Sequence, residues 1–126
     1  MADFGALQAV MAGVDARYEW VPNALVYEGG ADFWPGPNDI NYDGDNIKGD
    51  CKVHALLCRH ELRKKGIGSH LVICLTETGG LHCVLEVDGW ILDNRYSNVQ
   101  DQKDLNYTWI ERSQVEDNLP WHLIEK

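Results

Sequence analysis

The dipeptide Asp88-Gly89 is the strongest local constraint on how this chain can fold. Such a pair between two apolar runs makes a tight two-residue hairpin turn, because both central residues must adopt positive φ. The run before it is Leu81-His82-Cys83-Val84-Leu85-Glu86-Val87, and the run after it is Trp90-Ile91-Leu92-Asp93-Asn94. With Asp88 and Gly89 as the loop, Val87 faces Trp90, Val84 faces Asp93 and His82 faces Arg95. Residues two apart share a face of a strand. His82, Val84, Asp93 and Arg95 therefore project to one side. Cys83, Leu85, Val87, Trp90 and Leu92 make a core face on the other. His82 and Asp93 are diagonal neighbours, close enough for an imidazole–carboxylate hydrogen bond.

The second constraint is a helix. Residues 51–65 contain neither Gly nor Pro. Asp50 is the expected N-cap, Arg63, Lys64 and Lys65 load the last turn, and Gly66 supplies the stop. Val53, Leu56, Leu57 and His60 recur at helical spacing, with Leu62 beside them, and predict the buried face. A shorter helix is expected over 3–13, with Phe4, Leu7, Val10 and Met11 inward and Gly13 after its end. Strands are expected over 70–76 and near 107–111, and residues 18–27 are expected to hold a short strand or an irregular segment. The class is α+β: a helix packed on an antiparallel sheet of three or more strands.

These two elements bring chemistry together. Cys51 falls in the first turn of the helix, where unpaired N–H groups and the helix dipole stabilise a thiolate. The other cysteines, Cys58, Cys74 and Cys83, lie in apolar contexts where Cys is a small buried hydrophobe. There is no Cys-x-x-Cys pair, and four cysteines are few for a disulfide scaffold, so reduced thiols are expected. With the helix N terminus set against the His82 side of the hairpin, a Cys51–His82–Asp93 triad is complete. Cys51 would be the nucleophile, His82 its proton acceptor and later donor, and Asp93 the group that fixes the imidazole. The backbone N–H of Cys51 would hold an oxyanion. Trp34 and Asn94 are the candidates for a second donor or a cleft wall. Two other readings stand beside this one. Cys51, His54 and Cys58 share a helical face and could ligate zinc. The same fold could also serve as a non-catalytic binding or structural module.

The chain has 126 residues, of which 44% are apolar and 10% aromatic. That is enough for one domain, over 1–126, with a real core. A net charge of −9 excludes a general nucleic-acid binder, which needs a basic surface. No run is long and apolar enough to span a membrane. The first residues lack a basic and then apolar leader, so a soluble chain without a signal peptide is expected. The acidity is uneven. Residues 1–50 hold nine acids and two bases. A loop of about 20 residues, 29–49, is rich in Gly, Pro, Asn and Asp, and so long a loop in a compact domain is usually functional. Its end fits much of an EF-hand-type calcium loop, with Asp39, Asn41, Asp43, Asp45 and Asp50 as candidate ligands and Gly44 at the sharp turn. The fit has gaps: Asp50 stands where Glu is usual, and Asn46 where an apolar residue is usual. Pro35 and Pro37 argue against an entering helix. The alternative is a solvated loop of Asx turns. An uncompensated acidic cluster beside Cys51 would disfavour its thiolate, and a bound divalent ion would reverse that.

At these residues the sequence resembles the bacterial transglutaminase-like cysteine peptidases. The resemblance is carried by Asp32-Phe33-Trp34, by Gly49-Asp50-Cys51 at a helix start, by Leu81-His82-Cys83-Val84-Leu85, by Ile91-Leu92-Asp93-Asn94, and by the tail Tyr107-Thr108-Trp109-Ile110-Glu111-Arg112-Ser113 with Trp121. It implies a papain-like, transglutaminase-like core with the nucleophile helix on an antiparallel sheet. It also implies Cys51, His82 and Asp93 as catalytic residues, a protein or peptide substrate, and calcium as a cofactor of some members. The family's activity is peptide-bond hydrolysis, and the same fold supports amide transfer and deamidation. Two positions depart from the pattern. The family carries acidic residues just after the cysteine, where this chain has Lys52 and Val53. It carries Gly before the histidine, where this chain has Leu81.

Overall fold

The computed structural model describes residues 3–25, 34–36, 38–117 and 119–124. Asp32 and Phe33 lie outside the described residues, as do 29–31 of the long loop. The chain opens with helix α1 (Phe4–Asp15), capped by the Asp3 carboxylate on the Gly5 N–H. Leu7, Val10, Met11 and Val14 are its buried stripe. The helix runs through Gly13 rather than stopping there, because Val14 adds one more core contact. Phe4 stays 40% exposed and lies edge-on to Trp90.

A short strand β1 (Tyr18–Trp20) follows and pairs in parallel with β2 (Ile47–Gly49). The strand at the end of the acidic loop is not foreseen from its composition. It forms because Ile47 is buried and because β1 supplies a hydrogen-bonding edge across a long sequence gap. The chain then enters helix α2 (Cys51–Lys64), with Asp50 as N-cap and Gly66 turning the chain at φ 73°. The buried face of α2 is Val53, His54, Ala55, Leu57, Cys58, Arg59 and Leu62. Leu56 and His60, predicted as core, are only partly buried. The helix is rotated because it packs on two elements, α1 and the sheet, and so buries a wider arc than one apolar stripe.

The main sheet is built from β3 (His70–Leu75), β4 (Leu81–Val87), β5 (Trp90–Leu92), β6 (Gln100–Asp101), β7 (Thr108–Arg112) and β8 (His122–Leu123). Its strand order is β6-β5-β4-β3-β7-β8, with neighbouring strands antiparallel. The central hairpin has the expected register: Val87 pairs Trp90, Glu86 pairs Ile91 and Leu85 pairs Leu92. Asp88 and Gly89 both have positive φ, 51° and 87°, which is the type I′ turn their identities favour.

The sheet is covered on both faces. On the helix side Leu71, Cys83, Leu85, Val87 and Leu92 join α1 and α2 in one core. On the other side Val72, Cys74, Val84, Ile91, Leu105 and Tyr107 form a second, smaller core. The His82 face of the hairpin is thus not an open surface. The segment after β5 folds back over it, which buries His82 to 8% exposure and Asp93 completely. No helix among the described residues is long and apolar enough to cross a membrane.

Candidate active site

Asp93 lies just past β5, and its carboxylate is fully enclosed. A buried charge survives only with hydrogen-bond partners, and Asp93 has three. Its Oδ1 meets His82 Nε2 at 2.8 Å. The same oxygen accepts the Arg95 backbone N–H at 2.9 Å. Its Oδ2 accepts the Tyr107 hydroxyl at 2.6 Å. Burial pulls the Asp93 carboxyl upward, but His82, Tyr107 and the Arg95 amide together hold it below its ordinary value.

His82 is the second residue of β4, so it stands at a strand end that a helix N terminus can reach. With Nε2 on Asp93, Nδ1 is the ring nitrogen left over, and Cys51 is a second hydrogen-bonding neighbour of the imidazole. Burial opposes a charge on this imidazole. Hydrogen bonding to Asp93 and to Cys51, and the charge of both, outweigh burial and raise its pKa to about 9. Cys51 is partly exposed at the start of α2, whereas Cys58, Cys74 and Cys83 are buried. Burial is the main reason the thiols of those three are pushed up. One cysteine is therefore both accessible and coupled to an imidazole.

Sequence reasoning did not find the support behind Asp93. Tyr107 enters there only as the start of an expected strand and of the tail motif. In the structure its hydroxyl donates to Asp93 and accepts from Arg95 Nη1 at 2.9 Å, while the Arg95 guanidinium grips Glu77 at 2.6 and 2.9 Å. The signal was indirect: a carboxylate on a buried strand face needs a second donor. Replacing Tyr107 by Phe deletes that donor and leaves the Asp93 charge less well paired. We expect about 1–3 kcal/mol lost at neutral pH and a rise in the Asp93 pKa, so that acid unfolding begins at higher pH. Urea unfolding across the acid range checks both.

The other predicted site residues are scattered by comparison. Trp34 is 40% exposed and sits edge-on to Trp121, with the Lys52 ammonium 5.8 Å from its ring centre. That places it beside the helix start, as a cleft wall would be. Asn94 follows Asp93, and its Oδ1 is buried without a hydrogen-bond partner among the described residues.

The zinc set does not assemble. His54 Nε2 is on Asp15 at 2.7 Å and its Nδ1 is 4.0 Å from Cys58 Sγ, so both ring nitrogens face protein groups. Cys51, His54 and Cys58 do not converge as ligands among the described residues. The calcium set fits no better. Asp39 Oδ2 accepts the Gly36 N–H at 2.7 Å. Asp43 pairs with Lys64 and His60. Asp50 caps α2 and pairs with Lys52. The one group of three metal-type ligands among the described residues is Asp43, His60 and Glu61, and Lys64 already lies on two of them. Asp39, Asp43 and Asp50 thus diverge, because these three find different partners.

The family described as bacterial transglutaminase-like cysteine proteinase, BTLCP, matches residues 2–126. The chain belongs to this family. Bacterial transglutaminase-like cysteine proteinases are also its solved structural neighbours. Legionella pneumophila LapG superposes with a TM-score of 0.68 at 21% identity, over 93% of this chain and 66% of that one. Its EGTA-treated form gives 0.71 at 19% identity over 95% and 66%, and its calcium-bound form 0.67 at 20% over 93% and 66%. The chain therefore spans just under two thirds of the length of these LapG chains. No curated protein matches the sequence. The proteinase family accounts for the mixed fold, with helix α2 against an antiparallel sheet.

Proposed function

We propose that this chain is a cysteine peptidase acting through Cys51, His82 and Asp93 on a protein or peptide substrate. The observation that carries the reading is the His82 imidazole. It is buried, bonded to Asp93 at 2.8 Å, and raised to about 9 with Cys51 as a partner. A histidine held this way keeps its proton at neutral pH and so supports a thiolate beside it.

In the first step the Cys51 sulfur bonds to the substrate carbonyl carbon, and the C=O π pair moves to oxygen. The Cys51 N–H, in a first turn whose amides lack intrahelical acceptors, is a donor for that oxyanion. Trp34 or Asn94 is the candidate second donor. The oxyanion pair then re-forms C=O, the C–N bond breaks, and the amine leaves with the proton from His82. A thioester remains. His82, now neutral, takes a proton from water as the water oxygen bonds to the acyl carbon. The C–S bond breaks and the thiolate–imidazolium pair is restored. Asp93 stays ionised throughout and holds Nε2. An amine in place of that water would give transfer, by the same steps. Asp39, Asp43 and Asp50 of the loop are engaged elsewhere.

A peptide bearing an electrophilic warhead tests the assignment. The wild-type chain is expected to take up one label, located on Cys51 by mass spectrometry, and Cys51→Ala none. Labelling spread over the other cysteines, or a Cys51 no more reactive near neutral pH than a free thiol, would sink the proposal.

A further inference from the structure

The residue after the cysteine is Lys52, and the structure shows where that lysine goes. Its ammonium lies 2.6 Å from Asp50 Oδ2, and its backbone N–H donates to Asp50 Oδ1 at 2.9 Å. Both oxygens of the carboxylate next to Cys51 are thereby occupied by one residue. The pair is well shielded, with side-chain exposures of 12% for Lys52 and 15% for Asp50. The Trp34 ring stands over the ammonium.

The backbone on the other side of Cys51 is held in the same self-sufficient way. The Tyr18 hydroxyl lies 2.9 Å from the carbonyl oxygens of both Gly49 and Asp50, and the Asp50 N–H donates to Asn23 Oδ1 at 2.8 Å. Burial, with Cys51 and Asp50 nearby, raises the Tyr18 hydroxyl, so it remains a neutral donor. Carbonyls of this kind are natural calcium ligands, and here a hydroxyl takes them. The next residue, Val53, is fully buried. Val53 packs so tightly on Gly49 that a Cβ built there would lie 2.2 Å from Val53 Cγ2. Position 53 is thus a wedge in the core, where a carboxylate would have no water and no cation partner.

We propose that the Lys52 ammonium stands in for a divalent cation: it neutralises Asp50 beside Cys51, and the chain holds its helix start and thiol in place without calcium. This deepens the peptidase reading, since it concerns the same cysteine, and it sets this chain apart from a neighbour that binds calcium. A lysine and a calcium ion compete for the same carboxylate, and the tethered charge wins because it is always present.

Thermal melting of the full chain in millimolar calcium and in excess EGTA tests the inference, alongside Cys51 alkylation by iodoacetamide in both. For the wild type, the two melting temperatures are expected to agree within about 1 °C and the two alkylation rates within about twofold. Lys52→Met keeps the stem but loses the charge, and is expected to melt a few degrees lower in either buffer. Lys52→Glu reverses the charge beside Asp50, and is expected to melt low in EGTA and to recover in calcium. A wild-type melting temperature raised by roughly 5 °C or more in calcium would overturn the inference. So would alkylation slowed about tenfold by EGTA, or Lys52→Met melting like the wild type. If Lys52→Glu does not fold, the wild-type and Lys52→Met comparisons decide. Melting needs no turnover, so a Cys51 that is unreactive in both buffers removes the peptidase reading while the melting comparison still judges this one.

Discussion

Replacing His82 by Ala is expected to cut peptide hydrolysis about 10³–10⁴-fold, and to change the shape of its pH profile as well as its height. In the wild type the imidazole has a pKa of about 9. In the proposed mechanism the imidazole below that pH carries the proton that the leaving amine needs. Above it the proton is gone, so activity should fall through an alkaline limb near pH 9. The variant has no such limb. Its residual rate should instead rise with pH as the unassisted thiol ionises. The measurement is kcat/KM against pH for both proteins. A loss of less than tenfold, or an alkaline limb that survives in His82→Ala, would remove His82 from the reaction. The same shift acts on stability. A rise from 6.5 to about 9 corresponds to roughly 3 kcal/mol in favour of the folded, protonated state. That contribution is fully present below the unfolded value and is lost as pH rises through about 9.

Replacing Asp93 by Ala is the substitution expected to cost most stability, about 3–5 kcal/mol near neutral pH. The carboxylate is fully buried and is shared by His82, Tyr107 and the Arg95 amide. Its loss leaves a charged imidazole and a phenol hydroxyl in the second core without their acceptor. The sign of the pH effect is fixed by direction. The Asp93 carboxyl is held below 3.8, so its contribution is present above that value and is lost as pH falls through the lower folded one. The gap between wild type and variant should therefore be wide at neutral pH and close on acidification. Urea unfolding at several pH values reads it directly. A gap below about 1 kcal/mol at pH 7 would mean that the network carries little of the fold. Asp93→Asn should lie between the two, since an amide oxygen still accepts from Tyr107 but cannot balance the imidazolium.

How far the fold could be read in advance depended on the distance between partners. The α2 start, with Asp50 capping Cys51, follows from residues adjacent in the chain. So does the hairpin: Asp88-Gly89 dictates a turn, the turn dictates register, and the register puts His82 and Asp93 on one face. The parallel pairing of β1 with β2 was not legible, because each strand is only three residues long and each exists through the other. The buried face of α2 was misjudged at His60 and His54. Spacing alone favoured His60, whereas Asp15 on α1 and the Tyr18 ring draw His54 inward.

The acidic loop shows the same limit most clearly. Its composition matches a calcium loop. Composition counts carboxylates, however, and does not say which cation each will meet. Lys64, Lys52 and the Gly36 amide reach them first, because α2 and the loop are packed side by side.

By itself, then, the amino-acid sequence determined the α+β class, the hairpin register, the capped helix and the placing of His82 and Asp93 on one face of the hairpin. All of these rest on backbone geometry acting over a few residues. Only the tertiary structure decided that Asp93 is sealed by Tyr107, that Lys52 closes on Asp50 beneath Trp34, and that the loop acids part company. Those outcomes depend on which surfaces are pressed together and stripped of water. Burial makes each polar group take whichever partner the packing has brought within reach.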